Sequence, residues 1–140
     1  MGTPRYSVVA GISFRDGKLL MGRRKDGRFS GYWEFPGGKI EIGEDEFTAL
    51  QREFVEELHT KISRSKPYRK LSWEYPDRII DLHFHFVDLT DESWHGKALE
   101  AHSELKWFSP GEALDLDLLP ANRQILEELL KSPPSEPLFQ

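Results

Sequence analysis

The 140-residue chain contains no cysteine. That removes disulfides, thiolate metal sites and thiol nucleophiles together, and it suits a reducing compartment. Long apolar runs are missing too. The longest span only a few residues, far short of the roughly 20 that a membrane-crossing helix needs. The opening MGTPRYSVV has no charged start leading into an apolar stretch, so it does not read as a secretory signal. Tyr6 stands where a myristoylation motif wants Ser or Thr. Positive charge is in deficit as well. With 19 Lys and Arg against 24 Asp and Glu, the formal net charge is -5, so no global field draws the chain to polymeric nucleic acid or anionic lipid. A small anionic ligand would need local cations, a metal or helix N-termini. The expectation is a cytoplasmic monomer whose partner is a small molecule, without internal repeats.

What is present suits an ordinary globular protein: 38% hydrophobic and 31% charged residues. By length it is one domain over residues 1–140, with a core at about 5–131 and an irregular, proline-rich tail at 132–140. YSVVAGISF (Tyr6–Phe14) and LLMGRR read as strands around an Asp16-Gly17 hairpin turn. The loop RKDGRFSGYW leads to WEFPGG, where Pro36 and two glycines begin a turn. LSWEYPDRIIDLHFHFVDL reads as two strands around Pro76-Asp77, with Ile80, Leu82, Phe84 and Phe86 on one face and Asp81, His83 and His85 on the other. ELKWF is a further strand. SPGEAL carries a capping box from Ser109 to Glu112, and PANRQILEELLK is a final amphipathic helix. This order predicts a mixed sheet packed between helices, an α/β/α sandwich.

The one long helix is Glu44 to Leu58. Phe47, Leu50, Phe54 and Leu58 recur at helical period and draw an apolar stripe. Beside it Glu53, Glu56 and Glu57 project to adjacent parts of one side. Such carboxylates are either a solvated acidic face, with Arg52 and Lys61 as compensation, or a hard oxygen-donor site suited to Mg²⁺ or Mn²⁺. The preceding segment favours the metal. Gly37 and Gly38 let backbone groups approach a cation or phosphate closely, and Lys39 adds positive charge.

Gly38, five residues, Glu44, seven residues, then Arg52-Glu53-Phe54-Val55-Glu56-Glu57 resembles the Nudix box at every charged position. The box normally closes with a glycine where His59 stands, which leaves the helix end open to question. The resemblance implies a loop-helix-loop whose glutamates hold divalent metal, Mg²⁺ or alternatively Mn²⁺. It makes Glu53, Glu56 and Glu57 ligands together with the Gly37 carbonyl. Arg52 would orient a glutamate, and Glu44 would pair within the motif or bind an outer metal through water. WEFPGGKIE, EYPDRIIDLHFHFV, EAHSELKWF and LPANRQIL are each similar to segments of the MutT branch, so the likeness runs over about residues 5 to 131. That branch hydrolyses oxidised nucleoside triphosphates by attack at the β-phosphorus. Cytidine-preferring relatives share the WEFPGGK segment.

The branch resemblance adds Glu100 as a late metal ligand, and either Glu53 or Glu100 as general base. Arg23 fits a phosphate contact, with Arg28 and Lys39 as weaker candidates, while Arg24 and Lys25 are expected only at the surface. Glu34, Phe35 and Arg78 join Gly37 and Gly38 as substrate-binding candidates, with Tyr75 and Asp77 at the pocket border. Phe35 is as readily a core residue. Asn122 carries an acceptor and a donor, which match the N7–H and O6 edge of a purine oxidised at C8 and mismatch normal guanine. Its alternative is a helix-start residue bonded to backbone. His83 and His85 are expected as neutral pocket-lining or solvent-facing residues, and Trp73, Trp94 and Trp107 as packing. The implied activity is hydrolysis of 8-oxo-dGTP to monophosphate and pyrophosphate. The alternatives are modified pyrimidine triphosphates, nucleotide sugars or dinucleotides, RNA ends, and a silent binding module.

Overall fold

Strand β1 (Arg5–Ile12) sends its side chains alternately into two apolar environments, as a strand buried on both faces must. Val9 enters one core cluster, Ala10 and Ile12 the other. This alternation organises the computed structural model, which describes residues 2–90 and 99–139. β1 pairs in parallel with β7 (Arg78–Leu89) and antiparallel with β5 (Gly37–Lys39), and β6 (Ile62–Tyr75) completes the order β5-β1-β7-β6. The second sheet is built around β3 (Lys18–Arg24). It pairs with β2 (Phe14–Arg15) across the Asp16-Gly17 turn, with β4 (Trp33–Glu34), and with β8 (His102–Phe108).

Helix α1 (Glu46–Leu58) buries Leu50, Phe54 and Leu58 against Val9 and Leu20. A short α2 (Pro110–Ala113) starts with the Ser109–Glu112 capping box read from the sequence. Helix α3 (Pro120–Lys131) buries Ile125, Leu126 and Leu129 on the other side, against Ile12, Met21 and Phe84. Helices thus cover both faces, in the layering expected. The strand faces of β7 also follow the expectation: Phe84 and Phe86 enter the core while His83 and His85 turn to α1. No described helix is long and apolar enough to cross a membrane.

The structure corrects three local readings. Glu44 lies outside the helix, because Asp45 takes the cap and its carboxylate accepts the Thr48 N–H at 2.7 Å. Gly37 and Gly38 belong to a strand rather than a turn. A Cβ on Gly37 would lie 1.9 Å from the Val9 carbonyl oxygen, so only glycine permits this pairing. β6 begins at Ile62 rather than Leu71, its alternation hidden by irregularities between Ile62 and Arg64 and between Pro67 and Arg69. As expected, residues 132–139 form neither helix nor strand, but they are docked. Glu136 accepts the Asp16 N–H at 2.9 Å, and Leu138 and Phe139 pack on the core.

The missing glycine at the helix end has a local solution. His59 itself adopts the left-handed conformation (φ 55°, ψ 33°), and the Thr60 N–H reaches the Phe54 carbonyl at 3.3 Å. A side chain in that region carries a cost of about 1–2 kcal/mol, partly offset because glycine is freer in the unfolded chain. His59→Gly is therefore expected to raise the melting temperature by roughly 2–4 °C. An unchanged or lower midpoint in thermal unfolding would show that the imidazole makes compensating contacts.

Candidate active site

The carboxylates of α1 are organised from its outer side by Arg52. Its Nε and Nη2 donate to the two oxygens of Glu44 at 2.7 and 2.9 Å, a bidentate pair. Nη1 reaches Glu53 at 2.8 Å and Glu56 at 3.3 Å, and Nη2 also donates to the Lys39 carbonyl at 2.9 Å. The guanidinium holds the Glu44 carboxyl down to about 2. One arginine thus ties the β5–α1 loop to the helix and fixes the Glu53 side chain. Opposite it, Gly38 leaves room for that carboxylate, since a Cβ there would lie 2.4 Å from the Glu53 carboxyl carbon. The glycine pair serves close approach, as expected, but what approaches is β1 at Gly37 and Glu53 at Gly38.

Glu57 faces the other way, into a cavity of about 530 Å³. Its Oε2 is buried with no hydrogen-bond partner. Burial, and then the neighbouring charges of Glu53 and Glu34, push its carboxyl up to about 9. Glu56 is more than half exposed and bonded to Arg52. The three glutamates therefore differ: Glu57 lines the cavity, Glu53 sits between Arg52 and Gly38, and Glu56 points outward. Among the described residues no three acidic or histidine side chains converge to hold a metal ion as they stand, which departs from the expected Glu53-Glu56-Glu57 cluster. The donor set still fits a hard divalent cation. The buried Glu57 oxygen that lacks a hydrogen-bond partner is a polar group that such an ion would satisfy.

The remaining lining joins cations to apolar walls. Arg24, Arg28, Lys39 and Arg78 contribute positive charge, and Glu100, which is exposed, adds an acid at the rim. Phe35, Ile80 and Leu82 form apolar walls. Phe35 belongs to the core as well, edge-on to Phe84 with ring centroids 6.2 Å apart. Across the mouth, the Arg28 guanidinium lies 5.2 Å from the ring centres of Phe29 and Tyr75, and 3.7 Å from Asp77. Arg78 stacks on Tyr75, and its Nε is buried without a partner. Asn122 is buried, and its Oδ1 accepts the Phe35 N–H at 2.9 Å. It does not cap its own helix. Because Phe35 donates, the amide oxygen is assigned, and the NH₂ group is the one left for a ligand.

Several expected positions move. Arg23 is not in the lining. Its Nε donates to the Gly31 carbonyl at 3.2 Å and its Nη1 meets Glu104 at 3.3 Å. Arg24, expected at the surface, faces the cavity and donates to Glu34 at 3.0 Å. Neighbours on a strand point to opposite faces, and an irregularity in the pairing of β3 with β8 falls between these two arginines. Lys25 stays outside, its Nζ on the Leu99 carbonyl at 3.3 Å. His83 and His85 are outside the lining of this cavity; His85 is buried and His83 partly exposed, and both contact Glu46 at the start of α1, at 3.3 and 2.7 Å. Trp73 and Trp107 pack on the two core clusters, and Trp94 lies outside the described residues. His102 was not singled out in the sequence. It is fully buried, with Nε2 3.0 Å from Glu34.

The NUDIX domain family model matches residues 4–129. The CTP pyrophosphohydrolase of Escherichia coli is 40% identical over 88% of this chain and 90% of its own length. The 8-oxo-dGTP diphosphatase of Haemophilus influenzae is 32% identical over 88% and 90%. Among solved structures, the E. coli ORF135 protein superposes with a TM-score of 0.78 at 36% identity, covering 97% of this chain and 96% of that one. The MutT NUDIX hydrolase from Burkholderia pseudomallei gives 0.79 at 25% identity, over 89% and 98%. The chain belongs to the Nudix family, in its MutT-like branch, and is a Nudix pyrophosphohydrolase.

Proposed function

We propose that the cavity binds a nucleoside triphosphate and that the enzyme hydrolyses it to the monophosphate and pyrophosphate, with 8-oxo-dGTP as the preferred substrate. The observation that carries this reading is Asn122, which lines the cavity with its oxygen pinned by the Phe35 N–H, so that its NH₂ is the donor left for a ligand. The NH₂ can donate to O6, and the second lone pair of Oδ1 can accept the N7–H of an oxidised purine. Normal guanine offers two acceptors there and would leave one group unpaired, a penalty of about 1–3 kcal/mol. Phe35, Ile80 and Leu82 would hold the base. Arg24 would meet the phosphates in place of Arg23, with Arg28, Lys39 and Arg78 near by. Glu53 and Glu57, joined by the Gly37 carbonyl and Glu100, would hold Mg²⁺ (or Mn²⁺). When bound, the ion neutralises phosphate charge and lowers the pKa of a water ligand. Glu53, fixed by Arg52, or Glu100 at the rim accepts the proton of the attacking water.

A second reading rests on kinship: the relative at 40% identity is a CTP pyrophosphohydrolase. A cytosine edge also pairs an acceptor and a donor with an amide side chain. Measuring kcat/KM with Mg²⁺ for 8-oxo-dGTP, dGTP, CTP and dCTP separates the two. We expect 8-oxo-dGTP to exceed dGTP at least tenfold, the equivalent of about 1.4 kcal/mol. CTP or dCTP ahead of 8-oxo-dGTP would retire the oxidised-purine reading in favour of the cytidine one.

A further inference from the structure

The second sheet contains a side-chain contact that spans three strands. Gly22 on β3 pairs with Glu34 of β4 and also with Leu105 of β8, so β4 and β8 lie on opposite edges of β3. Strand spacing then separates β4 from β8 by roughly 10 Å, too far for ordinary lateral neighbours to touch. Nevertheless His102 of β8 reaches Glu34 of β4, Nε2 to Oε2 at 3.0 Å. It does so over Gly22: a Cβ there would lie 2.5 Å from the imidazole Cδ2 and 2.7 Å from Cγ. The other ring nitrogen, Nδ1, is buried without a partner. Among the described residues Glu34 is therefore the ring's polar attachment.

Glu34 passes this constraint on. Its second oxygen, Oε1, accepts from Arg24 Nη1 at 3.0 Å, and Arg24 Nε donates to the Arg28 carbonyl at 3.1 Å. The guanidinium is thereby held at two of its nitrogens, with Nη2 left over in a side chain that lines the cavity. We propose that His102 is a positioning residue for substrate: from a fully buried seat over Gly22 it orients Glu34, which in turn aims Arg24 at the phosphates of the bound nucleotide. This rests on the reading above that Arg24 is a phosphate contact. Glu34 is oriented at both oxygens, so losing the imidazole frees the carboxylate to rotate and takes Arg24 with it. Gly22 has a matching part, since any side chain there would displace the ring.

The test is a double-mutant cycle in steady-state kinetics with Mg²⁺ and the preferred triphosphate, with melting temperatures measured alongside. Arg24→Ala is expected to raise KM about tenfold or more, as loss of a charged hydrogen bond does. His102→Phe, which keeps the ring volume without a donor, should raise KM in the same way with kcat changed less. In the Arg24→Ala background it should add nothing. His102→Gln, which keeps a donor, should recover most of the loss, and Gly22→Ala should reproduce the His102→Phe effect, serving as the test if His102→Phe does not fold. Equal factors for His102→Phe in both backgrounds would overturn the proposal, as would an unchanged KM accompanied by a lower melting temperature. An unchanged KM in Arg24→Ala would instead remove the phosphate reading of Arg24, and the proposal with it.

Discussion

Glu57→Gln is expected to lower kcat by at least about a hundredfold while the protein stays folded, and Glu53→Gln by a similar factor, because metal-borne charge stabilisation is worth several kcal/mol. The two variants differ in what else changes. Burial and the neighbouring charges of Glu53 and Glu34 raise the Glu57 carboxyl, so near neutral pH the metal-free group of coupled carboxyls is expected to hold a proton. Metal must displace that proton. Calorimetric titration of Mg²⁺ or Mn²⁺ at pH 7 in buffers of different ionisation heat should report release of close to one proton, and apparent affinity should rise with pH. In Glu57→Gln the release should vanish. The stability consequence follows from linkage. With the folded value above the ordinary 4.5, the native state binds more protons than the unfolded state between the two values. Metal-free stability from this group is full below pH 4.5 and is lost as pH rises through about 9. Glu57→Gln should flatten that decline. Near-normal turnover in either glutamine variant would sink the metal assignment, and a pH-independent proton count would sink the protonated state of Glu57.

Asn122→Ala should have two separable effects. It removes the acceptor of a buried backbone N–H on Phe35, which costs about 1–3 kcal/mol of stability. It also removes the group proposed to read the purine edge, so the preference for 8-oxo-dGTP over dGTP should fall by roughly ten- to a hundredfold, through kcat/KM for the oxidised substrate. Denaturant midpoints report the first effect and paired kinetics the second. Loss of stability with an intact preference would make Asn122 a structural strut between α3 and the β4–β5 segment, and would strengthen the cytidine reading.

The local chemistry of the fold was legible in the sequence. The Leu50-Phe54-Leu58 stripe, the Asp16-Gly17 turn, the Ser109–Glu112 box and the alternating faces of Ile80 to Phe86 depend on neighbours within a few residues, and periodicity records such contacts directly. The charge order of the box was also explicit, because Glu44, Arg52 and Glu53 are set by one loop and one helix. What resisted was whatever depends on a second strand. The β6 irregularities concealed nine residues of its length, and the sheet set Arg24 rather than Arg23 in the cavity lining. A one-residue change turns a side chain to the opposite face, and no local preference chooses between two adjacent arginines. His102, Gly22 and Glu34 are far apart in the chain, so their contact existed only once β8, β3 and β4 lay side by side. The different environments of Glu53, Glu56 and Glu57 were likewise beyond the helix alone. Helical spacing set them on one side of α1; the close approach of β5 at Gly38 buried Glu53 beside Arg52, and packing left Glu57 with a buried, unpartnered oxygen near Glu34, because burial and neighbouring charge are properties of the packed structure.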